Sequence, residues 1–270
     1  MTFSLQRGTQ PMLVSMPHIG TLIPPELQSN FVPRALDVED TDWHLARLYD
    51  FLPALGVSVL QPKYSRYVID LNRPPDDTPM YAGAANTELC PTHFFNGDAL
   101  YQTGLQPSPQ EVQRRRNTYW QPYHDALVNE LQRIKAQHGF VLLWDAHSIR
   151  SQIPWLFDGK LPDLNIGTAS GAAAAVSISD AAAGAVGRAG SSFTHVVNGR
   201  FKGGYITRHY GQPAQHIHAI QLEKCQSLYM QETPPFGYDD ALAAQLQPTL
   251  QRMVQASLHA VKTVSKAMYE

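Results

Sequence analysis

The sequence predicts a single α/β domain over residues 1–270, built on a mostly parallel mixed sheet with helices on both faces. Three observations predict it. Short apolar runs alternate with longer stretches of helical spacing, and composition does not break along the 270 residues. Polar, chemistry-bearing residues also recur just past the apolar runs, where open α/β sheets hold their ligands.

The elements follow in chain order. Met12–Met16 is a short apolar run that reads as a buried strand, and Pro17-His18-Ile19-Gly20 ends it in a loop. Asp40-Thr41-Asp42 precedes Trp43, Leu45, Leu48, Leu52 and Leu55, a helical spacing behind an acidic or Thr N-cap that stops at Gly56. Val57–Leu60 reads as a second strand and Tyr67–Leu71 as a third, stopped by Asn72-Arg73-Pro74-Pro75. Residues 74–108 are rich in Pro, Gly, Asn, Asp and Thr, and a loop of that length is usually functional. Glu111–His138 has the apolar spacing of a long helix, and Phe140–Trp144 is a strongly apolar strand leading into Asp145-Ala146-His147-Ser148. Ala172–Gly190 is weakly helical, Tyr205–Thr207 and Ile217–Leu222 read as late strands, and Leu242–Met268 as a closing helix.

Bulk chemistry narrows the function. The formal net charge is −2 and Arg114-Arg115-Arg116 is the densest basic cluster, which gives no footprint for nucleic acid. The Ala-rich stretch 171–186 carries Ser177, Ser179 and Asp180 and is too polar and short to span a bilayer. Two cysteines, Cys90 and Cys225, make no disulfide framework, and the N-terminus has no leader pattern, so the expectation is a soluble cytoplasmic protein.

Two histidines and a carboxylate are the usual protein ligands of a hydrolytic zinc. His18 and His147 both follow apolar strands and are the candidate nitrogen ligands. Asp40 is the candidate carboxylate, with Asp42 or Glu39 behind it. The competing readings are hydrogen-bonded loop histidines and an Asp40 that only caps a helix. Asp145 would orient a ligating histidine or simply end its strand. Glu223 closes an apolar strand, where desolvation raises a carboxyl pKa and suits it to general base work, unless it pairs with Lys224. Arg66, Arg73 and Arg208 lie at strand ends or in loops, where guanidinium groups bind carboxylates. A rival metal site is His216-Ile217-His218, whose alternate residues share a strand face. No phosphate-binding Gly motif is present, though Gly203-Gly204 allows close backbone approach.

Longer runs carry a resemblance. Pro17-His18-Ile19-Gly20, Asp40-Thr41-Asp42-Trp43, the stretch from Ser65 through Asn72-Arg73-Pro74, and Leu89-Cys90-Pro91-Thr92 resemble the N-formylglutamate amidohydrolase family. So do Tyr119–His124, Leu143–Ser148, Leu161–Thr168, Phe201–Tyr205 and Gln221-Leu222-Glu223, in order over residues 11–235. The resemblance implies a zinc-carboxypeptidase-like fold (the phosphorylase/hydrolase-like class). It also implies metal-dependent hydrolysis of N-formyl-L-glutamate to formate and L-glutamate, a step of histidine degradation. By the same resemblance His18, Asp40 and His147 look like the ligands of Zn2+, with Asp42 the fallback, and Glu223 like the general base. Arg66 and Asn72-Arg73 look like groups that bind the oxyanion or the substrate carboxylates; Arg208 is expected as a further substrate-binding cation from its place in the chain alone. A related zinc amidohydrolase acting on another N-acyl amino acid stays open.

Overall fold

The computed structural model describes residues 1–79, 87–187 and 192–266. Its strands are β1 Phe3–Gln6, β2 Met12–Ser15, β3 Ser58–Pro62, β4 Val141–Ile149, β5 Leu164–Gly167, β6 His195–Val197 and β7 Ile217–Cys225. They form one sheet in the order β1-β3-β2-β4-β7-β5-β6. Four of the six pairings are parallel; β1 with β3 and β5 with β7 are antiparallel. The mostly parallel mixed sheet that the sequence predicts is therefore present.

The helices are α1 Pro25–Gln28, α2 Leu45–Leu48, α3 Leu52–Leu55, α4 Pro109–Arg115, α5 Gln121–His138, α6 Val176–Gly187, α7 Tyr205–Tyr210 and α8 Asp240–Lys266. Period-2 alternation in the central strands splits the core. Trp144, Ala146, Ile220 and Leu222 face α6 and α8, whereas Leu143 and Ala219 face the α5 side with Leu127, Leu131 and Ile134. Burying each leucine or isoleucine among them stabilises the fold by about 1.5–3 kcal/mol. Among the described residues no helix is long and apolar enough to cross a membrane.

Local chemistry explains where the elements begin and end. Ser108 accepts from the Glu111 amide to cap α4, with Pro109 in its first turn. A π-turn over Arg116–Trp120 joins α4 to α5, just before Pro122. Gly139, at φ 80°, ends α5 in the left-handed conformation. Arg115, from the basic cluster, is fully buried against Glu111, the Val68 carbonyl and Tyr101.

Four expectations change. Tyr67–Leu71 is a buried turn, not a strand, because its amides find local partners: Val68 N on the Ser65 carbonyl, Asn72 N on the Asp70 carboxylate. Tyr205–Thr207 opens α7 instead of forming a strand, since the Asn72 side chain accepts from the Ile206 amide and satisfies the helix start. The expected single helix behind Asp40 is two short ones, α2 and α3. The apolar run at 140–144 begins a strand that continues through Asp145 and His147 to Ile149. Residues 188–190 of the expected helix, 267–268 of the closing helix and 80–86 of the long loop lie outside the described residues.

Candidate active site

β4 and β7 set the floor of the site. Their parallel register pairs Asp145 with Gln221 and His147 with Glu223. Paired residues on neighbouring strands point to the same face. Four polar side chains thus line up at the C-terminal end of the face that, further back, is apolar against α5. Ile149 and Cys225, next on that face, pack with Phe95, Ile153 and Leu161 at the border of the site.

His18 reaches the same place from the turn after β2. Its carbonyl accepts from the Asp42 amide, which brings the second acidic residue of the Asp40–Asp42 pair to the histidines. His147 Nδ1 lies 3.2 Å from His18 Nδ1 and 3.2 Å from Asp42 Oδ2, and His18 Nδ1 lies 3.8 Å from that oxygen. Donor atoms bound at about 2.0–2.1 Å in a tetrahedral site are about 3.3–3.4 Å apart. All three side chains are buried, and together they could hold a metal ion. The two nitrogens and one carboxylate oxygen are a donor set that suits a hydrolytic divalent cation.

The far edges of both rings meet carboxylates. His18 Nε2 is 2.7 Å from Asp70 Oδ1, an acceptor only, so this nitrogen carries the proton and Nδ1 presents its lone pair. His147 Nε2 stands 3.2 Å from Asp145 Oδ1 and 3.1 Å from the Asn72 amide. A carboxylate hydrogen-bonded behind a ligating histidine fixes its ring orientation and tautomer, and Asp70 stands so behind His18. The charges around the two rings move them in opposite directions. Burial opposes charge on His147, but Asp145 and Asp42 outweigh it and lift the ring to about 10. His18 moves down instead, through burial and the adjacent Arg66.

Asp70 ties the site together. One oxygen takes His18 and the Asn72 amide, and the other takes Arg66 Nη2 at 2.6 Å. Burial works against its charge, yet Arg66, His18 and Arg73 hold its carboxyl well below the ordinary range. Arg66 is itself buried and stacked 4.6 Å from the Phe95 ring centre. Opposite, burial lifts the Glu223 carboxyl to about 7, and the Asp42 charge adds to the effect. Glu223 and Lys224 alternate across the sheet. The lysine points to the other face, donates to the His147 carbonyl at 2.5 Å and lies 4.9 Å from the Tyr49 ring centre.

These groups line a cleft of about 700 Å³, solvent at its mouth included. His18, Asp42, His147 and Glu223 share it with Arg66, Asn72, Arg73 and Arg200. Asn72 is wedged between His147 and Gly204; a Cβ at Gly204 would sit 2.2 Å from the Asn72 amide nitrogen. Arg73 is braced on Thr87 through Nε and Nη2.

Two expected site residues lie elsewhere. Asp40 does not meet the histidines: its carboxylate accepts from Tyr67 Oη, the Phe95 amide and Arg150 Nη2. Asp42 stands in the place expected for it. Arg208 does not line the cleft, because α7 replaces the expected strand; Ile206, Thr207 and Tyr210 turn inward and Arg208 outward, its Nε on the Gly203 carbonyl. The rival histidine pair also dissolves. His216 sits in a left-handed turn before β7, and His218, at the opposite end of that strand from Glu223, accepts from the Ala175 amide. Both cysteines are buried, with thiols pushed up to about 12, so neither is an activated nucleophile.

Comparison with known proteins follows the same lines. The sequence profile of the N-formylglutamate amidohydrolase family matches residues 10–230. N-formylglutamate deformylase of Pseudomonas putida is 51% identical over 255 residues, covering 94% of this chain and 95% of the relative. The deformylase of Pseudomonas aeruginosa is 49% identical with the same coverage. The crystal structure of an N-formylglutamate amidohydrolase from Ralstonia eutropha JMP134 superposes with a TM-score of 0.80 at 24% identity, covering 94% of this chain and 97% of that one.

Proposed function

The chain belongs to the N-formylglutamate amidohydrolase family, and on that premise we propose that it hydrolyses N-formyl-L-glutamate to formate and L-glutamate with Zn2+ held by His18, Asp42 and His147. The observation that carries the metal is the triangle of Nδ1, Nδ1 and carboxylate oxygen, with sides of 3.2, 3.2 and 3.8 Å and carboxylates behind both rings. When bound, such a cation polarises a carbonyl and acidifies water.

The residues of the chain do the rest. Glu223 is the general base: a carboxyl lifted to about 7 takes a proton from water at neutral pH and returns it to the departing amine. Arg66, pinned by Asp70 and Phe95, offers its remaining N–H groups to the oxygen on which negative charge develops. Asn72 and Arg73, adjacent on one turn, hold the substrate α-carboxylate and orient the amide. Formyl is small, so selectivity lies with the amino-acid end. Release of L-glutamate and formate suits the close of a histidine-degrading route in the cytoplasm.

The experiment is metal analysis of purified protein with formate release measured before and after chelation. About one zinc per chain, activity lost on chelation and regained on adding zinc is the expected result. Full formate release from demetallated protein would overturn the proposal.

A further inference from the structure

Three guanidinium groups line the cleft among the described residues: Arg66, Arg73 and Arg200. Arg66 is committed to Asp70 beside the histidines, and Arg73 is braced by Thr87 next to Asn72. Arg200 comes from a different direction, the loop between β6 and α7. Its Nη2 donates to the Leu156 carbonyl at 3.3 Å and its guanidinium carbon lies 5.7 Å from the Phe201 ring centre. Leu156, Phe201 and Ile149 also line the cleft, so this wall is apolar and carries a cation. A short run of methylenes ending in a carboxylate fits such a wall: the stem packs on the apolar side chains and the guanidinium takes the charge.

We propose that Arg200 is the specificity-determining anchor for the side-chain carboxylate of the substrate, with Ile149, Leu156 and Phe201 flanking its methylenes. The inference rests on the deformylase reading above and assigns the second of the two substrate anions. Arg73 and Asn72 read the α-carboxylate common to all N-formyl amino acids, and Arg200 reads what distinguishes glutamate from them.

The test compares N-formyl-L-glutamate with N-formyl-L-glutamine, which has the same shape and lacks only the terminal charge. Arg200→Met should lower kcat/KM on the glutamate substrate by roughly 10–100-fold, the loss of one charged hydrogen-bonded contact, and leave the glutamine substrate within about threefold. Arg200→Lys should keep part of the preference. Arg73→Met should depress both substrates alike. Both rates are read on one preparation, so a partly folded variant scales them together and leaves their ratio intact. A glutamate-over-glutamine ratio unchanged in Arg200→Met overturns the assignment. If the wild-type protein releases formate from neither substrate, the deformylase reading itself falls and takes this assignment with it.

Discussion

The β4–β7 strand pair and the Ser65–Arg73 turn place functional groups by opposite means. On the strands, position follows from alternation and register: Asp145, His147, Gln221 and Glu223 share a face because they are two apart and paired across the ladder. In the turn no ladder exists. Side chains hold the backbone instead: Ser65 and Asp70 bond amides within the turn, His124 Nε2 meets the Leu71 carbonyl at 2.9 Å, and Trp120 Nε1 donates to the Arg73 carbonyl at 3.1 Å. On the proposed reading, the strands carry His147 at the metal and Glu223 as the base, and the turn carries Arg66 at the oxyanion and Asn72 and Arg73 at the substrate carboxylate. A fault at Glu223 on β7 should strike turnover with binding kept; a fault at Asp70, or at the supports of Asn72 and Arg73, should strike metal or substrate affinity.

The largest expected effect is on the strands. Glu223→Gln keeps the shape and removes the proposed base, and kcat should fall by roughly 10²–10⁴-fold with KM little changed. The same residue should set the acid side of the pH profile. A protonated Glu223 cannot accept a proton, so kcat/KM should fall as pH drops below an inflection no higher than about 7. That acid limb should vanish in the glutamine variant, and an unchanged profile would remove Glu223 from the role.

Asp70→Asn tests the turn where it touches both regions. It weakens the grip on His18 and Arg66 together, and metal affinity should fall by about 10–100-fold, as measured by competition with a chelator. Unaltered affinity would mean that the Asp70–His18 contact does not support the metal site.

The smallest effect belongs to the far support of the turn. His124 is buried, stacked at 3.7 Å on Trp120 and hydrogen-bonded to Tyr210, and burial depresses its ring to about 3, so it stays neutral at working pH. His124→Phe leaves the Leu71 carbonyl unpaired and should cost about 1–3 kcal/mol of stability in a denaturant titration. KM should rise several-fold with kcat nearly preserved; a loss confined to kcat would contradict the division between the two regions.

The same contrast decides what was legible in the sequence. The strand at Met12, the one at Val57 and the long apolar ones leading to His147 and Glu223 announced themselves through runs of Val, Leu and Ile, but both candidates lie inside β4 and β7, near their C-terminal ends, and not past them. The four-residue β1 and β5 and the three-residue β6 lie toward the sheet edges and carry too few residues for a pattern. The turn misled because Tyr67-Val68-Ile69 has strand composition, while its actual partners come from Leu89, α4 and α5. The choice between Asp40 and Asp42 was not local either: Arg150, the Phe95 amide and Tyr67 claim the first, and the His18 carbonyl aligns the second. Arg208, expected at a strand end, faces away from the cleft because Tyr205–Tyr210 is helical, and Arg200 lines the cleft instead. The nearest available signal for α7 was Gly203-Gly204 ahead of it.

Asn72 has a consequence for how the site comes into being. Its side-chain oxygen satisfies the Ile206 amide at the start of α7, and its nitrogen lies against His147. A six-residue helix has almost no life of its own in water. The start of α7 and the position of Asn72 beside His147 are therefore tied through one side chain, so whatever loosens one should loosen the other.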